Sequence, residues 1–251
     1  SSVSLLLGYL RIDLTEKAYS ANIKVLKASQ QLEHANEALR YEKSRAEGLL
    51  LNILPRPIAE RLKNGSSIIA DYHAEVSVLF ADIVGFTKLA GERPPDEVVL
   101  MLNDLFTKFD QLASKHGVEK IKTIGDAYMA ASGVPVPNAE HATALASMAL
   151  DMLAVVDAFS KESKAEIRIR IGLNTGPIVA GVIGAQKFIY DLWGDTVNIA
   201  SRMESHGIPG SIHVTDDFRL ATQKHFSYQA RGEIEIKGKG PMKTFILERK
   251  I

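Results

Sequence analysis

Residues 9–53 contain no proline and a single glycine, Gly48, and across them apolar side chains return every three or four positions. Leu14, Ala18, Ala21, Val25, Ala28, Leu32, Ala35, Leu39, Ala46, Leu49 and Ile53 keep a 4-3 rhythm. It extends back to Leu7, with Arg11 and Glu42 in two of its slots. A mean period of ~3.5 residues held over more than roughly three or four heptads marks a coiled coil. A helix lying on a globular body would show a wider stripe near ~3.6. Residues 1–54 are therefore expected to be a helical, coiled-coil dimerisation segment. The many alanines bury little area, so this seam alone should dimerise weakly. Pro55 and Pro57 end the helix, because a proline ring fits no helix interior. Residues 55–74 read as a linker with a short helix over 58–62, closed at Asn64-Gly65 by a left-handed cap.

The apolar run 3–10 is shorter than the ~20 residues that cross a bilayer. It reads either as the tail of a truncated membrane helix or as a helix start packed on a neighbour. The first residue is Ser1 rather than Met, as expected of a piece of a longer or processed protein, and no signal-peptide cleavage pattern follows. Hydrophobic residues make up 46% of the 251, enough to bury a full core. Lys plus Arg is 30 and Asp plus Glu is 30, and a zero net charge disfavours a general nucleic-acid binder. The absence of cysteine excludes disulfides, thiolate zinc sites and cysteine nucleophiles.

From Glu75 onward the pattern changes. Val76, Val78 and Phe80 alternate with Ser77, Leu79 and Ala81 as in a buried strand. Residues 96–116 read as a helix capped by Asp96, with Val99, Leu102, Leu105, Phe106 and Phe109 on one face and Gly117 as its stop. Strands over 118–123 and 127–131 enclose a turn at Gly125-Asp126. A helix follows over 139–159. Two strands, 166–173 and 178–183, flank Asn174-Thr175-Gly176-Pro177. A helix over 196–205 and a β-rich tail complete the chain. The order β-α-β-β-α-β predicts an α+β domain over 75–251 with a ferredoxin-like core and a C-terminal β-rich extension.

Asp82 stands where a buried strand ends, and Ile83, Val84, Gly85, Phe86 and Thr87 follow as a tight turn whose N–H groups could bind phosphate oxygens. Asp126 lies in the hairpin turn. In a β-α-β-β sheet the first strand neighbours the hairpin, so the two acids can converge on one rim. Two carboxylates plus substrate phosphates is how Mg²⁺ is normally held, and two such ions ~4 Å apart can stabilise attacking and leaving oxygens together. A lone Asp at a turn is usually a turn residue; two flanked by Gly and apolar strand point to the metal chemistry.

Four stretches then stand out in order: 79–87 (LFADIVGFT), 122–128 (KTIGDAY), 190–203 (YDLWGDTVNIASRM) and 236–244 (IKGKGPMKT). With them the region 76–249 resembles the catalytic domain of the class III nucleotidyl cyclases, the adenylyl and guanylyl cyclase family. Residues 50–63 resemble the linker that precedes many such domains. The resemblance implies a head-to-tail dimer with active sites at the subunit interface and two divalent ions per site, Mg²⁺ or Mn²⁺. Asp82, Ile83 and Asp126 are the implied metal ligands. Lys122 and Asp191 fall where the family reads the purine. Lys donates to adenine N1 and Asp accepts from the 6-amino group, whereas guanylyl cyclases typically carry Glu and Cys there, so the chain resembles the adenylyl type. Asn198 would orient the ribose, Arg202 would meet the α-phosphate, and Lys237 would meet the β- and γ-phosphates. No general base appears in these motifs.

Because one chain carries both residue sets, a symmetric homodimer acting on ATP is expected, with no nucleic-acid partner. The catalytic domain is expected in the cytoplasm of a signalling parent whose sensor or membrane segment precedes residue 1. The alternatives are a guanylate cyclase and a non-catalytic dimerisation or sensor module of the same fold. A diguanylate cyclase would show a Gly-Gly-Asp/Glu-Glu-Phe hairpin where this chain has Ile124-Gly125-Asp126-Ala127-Tyr128. A polymerase palm would need a basic channel.

Overall fold

The computed structural model describes residues 2–66, 68–163, 166–184, 188–236 and 238–251, and along the first helix the side chains of 8, 11, 14–27 and 29–51. The chain divides into two units, Ser1–Ala59 and Glu60–Ile251. In the first, α1 (Ser2–Leu51) is one unbroken 50-residue helix. Its seam residues Leu14, Val25, Leu32, Leu39 and Leu49 are exposed; those of Leu7 and Ala28 lie outside the described side chains. Long helices draw their stability from packing rather than propensity, and these described seam side chains are left exposed in a single copy. The short helix α2 (Arg56–Lys63) begins directly after Pro55, and Gly65 takes the left-handed conformation expected of its cap (φ 88°).

The second unit runs β1 (Ile69–Ile83), α3 (Phe86–Gly91), α4 (Pro95–His116), β2 (Glu119–Ile124), β3 (Ala127–Ser132), α5 (His141–Ser163), β4 (Ile169–Ile183), β5 (Ile189–Trp193), α6 (Asp195–Ser205), β6 (Ile212–Thr215), α7 (Asp216–Thr222), β7 (Phe226–Ile236) and β8 (Gly240–Lys250). One sheet has the order β2-β3-β1-β4-β6-β8-β7, with β5 paired to β4. Its first four strands are antiparallel. This is the ferredoxin-like core, and β6, β8 and β7 extend it as the C-terminal addition.

Three details differ from expectation. The two strands expected around residues 174–177 are one continuous strand, β4. Pro177 cannot donate to a ladder, but it falls opposite the register shift between His73 and Val76, where β1 pairing skips it. Helix α4 begins with Pro95 at its first position and has no side-chain cap; Asp96 sits inside the first turn, where its charge suits the helix dipole. Its buried face is Val98, Met101, Leu105, Phe109 and Ala113, while Val99 is exposed.

Period-two alternation sorts the sheet into two faces. Leu79, Ala81, Ile83, Ile169, Ile171 and Leu173 join the main core with α4, α5 and α7. On these strands Asp82, Arg170, Gly172 and Asn174 therefore point to the other face, against which α6 packs. The approach of α6 is close: a Cβ on Gly172 would lie 2.0 Å from the Glu204 nitrogen and 2.5 Å from the Ala200 carbonyl oxygen. Hydrogen bonds pin both ends of the helix. Asn174 Nδ2 donates to Thr196 O (3.0 Å), Thr196 Oγ1 to Pro177 O (2.7 Å) and His213 Nδ1 to Met203 O (2.8 Å). Gly172→Ala should lift α6 from β4 at a cost of about 3 kcal/mol, the scale of core overpacking. Chemical denaturation checks this, and a change below ~0.5 kcal/mol would show that the helix moves freely.

Candidate active site

Asp82, the last residue but one of β1, lies directly opposite Arg170 of β4. Asp126 follows Gly125, whose φ of 62° makes the β2–β3 turn. The turn is anchored two residues on: Tyr128 is fully buried, donates to Asp110 (2.8 Å) and packs against Phe106 and Phe109. The two acids meet as expected. Burial first, and then the charge of Asp82, push the Asp126 carboxyl above the usual carboxylate range, and a hydrogen bond to Asp82 adds to this. A crowded pair of oxygen donors fits a hard divalent cation that takes few protein ligands. Ile83 could join only through its main chain, since its side chain has no donor atom.

Two residues not singled out in the sequence complete this cluster. Arg170 donates from Nη2 to Asp82 Oδ2 (2.8 Å) and from Nε to Glu204 Oε1 (3.1 Å). Burial pushes the Glu204 carboxyl up, the charge of Asp82 adds to this, and Arg170 opposes it. The available signal was an arginine at a sheet position whose neighbours, Ile169 and Ile171, are core residues.

In the turn after Asp82, Gly85 has φ 72°. The Val84 N–H already donates to Arg168 O (2.9 Å). That leaves Gly85, Phe86 and Thr87, where α3 starts, as N–H groups free of the helix ladder.

Lys122 of β2 and Asp191 of β5 form an ion pair at 2.5 Å, and Asp191 Oδ1 also accepts from Leu192 N (2.9 Å). Asn198 and Arg202, one turn apart on α6, share a cleft of about 400 Å³ with Asp195, Ile236, Gly238 and Lys239. Lys239 pairs with Asp195 at 2.7 Å. Lys237 lies outside the described residues. Among the described residues, no hydrogen bond or ion pair links Asp82 or Asp126 to Lys122, Asp191, Asn198 or Arg202. One chain thus carries the Asp82–Arg170–Glu204 contacts with Asp126 beside them, the Lys122–Asp191 pair, and the cleft of Asn198 and Arg202.

Residues 68–249 match the family described as the adenylate and guanylate cyclase catalytic domain. An adenylate cyclase of Mycobacterium tuberculosis (strain H37Rv) is 48% identical over 219 residues, covering 86% of this chain and 49% of the relative. Retinal guanylyl cyclase 1 of Rattus norvegicus is 46% identical over 235 residues, covering 91% of this chain and 21% of the relative. The chain thus spans about half the length of the first relative and about a fifth of the second. The guanylate cyclase domain of RhGC from Catenaria anguillulae, solved in complex with GTP, superposes with a TM-score of 0.70 at 37% identity, over 72% of this chain and 100% of that one.

The raised Asp126 carboxyl has a consequence for stability. The folded chain holds that proton more tightly than the unfolded chain, so stability falls as pH rises from the ordinary value of 3.8 through the folded one. Without added metal, Asp126→Asn should raise Tm at pH 7 by about 1–2 °C. The gain should shrink as pH falls toward 3.8. Thermal melts across pH check this; a lower Tm for the variant at pH 7 would show that the two acids do not repel.

Proposed function

We propose that this chain, which belongs to the adenylate and guanylate cyclase catalytic-domain family, is an adenylate cyclase that converts ATP to 3′,5′-cyclic AMP and pyrophosphate. The observation that carries the choice of ATP is the Lys122–Asp191 pair. It sets an ammonium donor beside a carboxylate acceptor, the complement of adenine's N1 acceptor and 6-amino donor. Guanine presents the reverse polarity at both places. A buried mismatch costs ~1–3 kcal/mol, so two of them discriminate strongly. Guanylate cyclase remains the second reading, motivated by the 46% identity to a retinal guanylyl cyclase.

In the proposed reaction the ribose 3′-hydroxyl gives its proton to water or a substrate phosphate, and its oxygen attacks the α-phosphorus as the bond to the pyrophosphate oxygen breaks. Asp82, the Ile83 main chain and Asp126 would hold two divalent ions, Mg²⁺ or Mn²⁺, whose charge would acidify the 3′-hydroxyl and steady the leaving oxygens. Asn198 orients the ribose. Arg202 meets the negative charge that builds on the α-phosphate, with a permanent charge and fixed donors. The N–H groups of Gly85, Phe86 and Thr87 take phosphate oxygens. Lys237 is assigned to the β- and γ-phosphates by family resemblance alone.

That one chain carries both residue sets, as the family resemblance assigns them, supports a site completed head-to-tail by a second copy, which gives a homodimer two equal sites. The exposed seam of α1 supports a parallel coiled coil that keeps the two copies at high effective concentration.

Incubation with ATP, and separately GTP, plus Mg²⁺ or Mn²⁺ should yield cyclic AMP in excess; cyclic GMP in excess would establish the second reading. Lys122→Glu with Asp191→Cys should lower the ATP-to-GTP preference by about 100-fold, two mismatches of ~1–3 kcal/mol each. An unchanged ratio would mean that the base is read elsewhere.

Asp82→Ala and Arg202→Ala should each lose activity by about 100-fold or more. Mixed in equal amounts, the two variants should recover about a quarter of wild-type activity, since half of the dimers carry one intact site of two. Removing residues 1–45 from both should make that recovery depend on protein concentration. Heterodimers shown to form without recovery would place each site within one chain.

A further inference from the structure

The Arg170 guanidinium is divided between two acids on the α6 face of the sheet. Nη2 donates to Asp82 and Nε to Glu204. An arginine that is free to choose grips one carboxylate with two parallel bonds from a single edge. Here Glu204 occupies the Nε position, so Asp82 is met by one nitrogen. The Glu204 side chain is 12% exposed, against 22% for Asp82 and 29% for Arg170, so water does not readily take its place. Its backbone is fixed too, because its nitrogen lies where a Cβ on Gly172 would stand.

We propose that Glu204 is a positioning residue for the acid pair: it holds Arg170 back by the Nε edge and so leaves Asp82 open to a divalent cation beside Asp126. This rests on the reading of Asp82 and Asp126 as metal ligands. With Glu204 in place, Arg170 steadies Asp82 in the empty chain without closing it. Without the Glu204 charge, Arg170 turns its full fork to Asp82 and competes with the cation for both oxygens. Glu204 lies two residues beyond Arg202 and touches neither base nor phosphate group in the proposed roles. Its effect therefore reads in metal affinity.

The test is Mn²⁺ binding to the full chain with a non-cyclisable ATP analogue, with free Mn²⁺ followed by electron paramagnetic resonance. Glu204→Gln should weaken binding roughly three- to tenfold, between the worth of an exposed and a buried ion pair. The Mn²⁺ concentration for half-maximal activity should shift by the same factor, with kcat recovering at saturating metal. In an Arg170→Gln background the same change should shift affinity less than about twofold, because the partner through which Glu204 acts is gone. Unchanged affinity in Glu204→Gln would overturn the proposal. So would an equal shift in both backgrounds, which would mean that Glu204 acts by its own charge. Loss of kcat that saturating metal does not restore, with a lower Tm, would mark a structural residue and overturn it as well. Should Glu204→Gln not fold, Glu204→Asp keeps the charge and withdraws it by one methylene; weaker Mn²⁺ binding supports the proposal and unchanged binding ends it. A wild-type chain that binds Mn²⁺ but leaves ATP intact would fail the cyclase reading alone. One that binds no Mn²⁺ would fail the metal pair, and this inference with it.

Discussion

Everything at the site depends on how closely α6 lies on β4. A helix rests on a sheet through side chains unless the sheet supplies a glycine, and Gly172 supplies one where the Glu204 backbone would otherwise collide. Bonds from Asn174 and His213 then fix the two ends of the helix. Burial holds the His213 imidazole down to about 4, so it stays neutral at physiological pH and keeps one ring N–H for the Met203 carbonyl. From this one seating follow the placement of Asn198 and Arg202 on the cleft side and the reach of Glu204 to Arg170.

The acid cluster is a second constraint, electrostatic rather than steric. Asp82, Asp126 and Glu204 crowd together around one guanidinium, which alone cannot balance three ionised carboxylates. The chain tolerates this because the surroundings are rigid. Asp82 is fixed in a paired strand, Asp126 in a hairpin tied down by Tyr128, and Arg170 in the strand opposite Asp82. Such a pocket of unspent negative charge is costly to a fold and useful to a protein that handles cations and polyphosphates.

Much of the architecture could be read from the chain. The unbroken helix before Pro55, the ferredoxin-like order and the β2–β3 turn at Gly125-Asp126 follow from proline placement, alternation and turn chemistry, all of them local. What escaped was set by partners distant in sequence. Pro177 reads as a strand breaker, yet it stands harmlessly opposite a β1 bulge that no local pattern announces. Val99 reads as a core position by spacing, yet it is exposed and Val98 beside it is buried, while Leu102, Leu105, Phe106 and Phe109 join the core as expected. Arg170 and Glu204, 34 residues apart, meet only because of α6 seating. The convergence of Asp82 and Asp126 could be foreseen, because sheet order dictates it; the arginine that joins Asp82 to Glu204 could not.

The Lys122–Asp191 bond gives the empty protein a closed latch. Joined to each other, the ammonium and the carboxylate have already met their strongest needs, so a passing ring finds no bare charge to hold. If the pair reads the base as proposed, a ligand would enter only by offering an acceptor and a donor at once, one to each half of the opened pair. A molecule with a single match must strand the other charge in a partly buried place, which costs more than it gains. In that role the pair would reject as well as recognise, ahead of any covalent step.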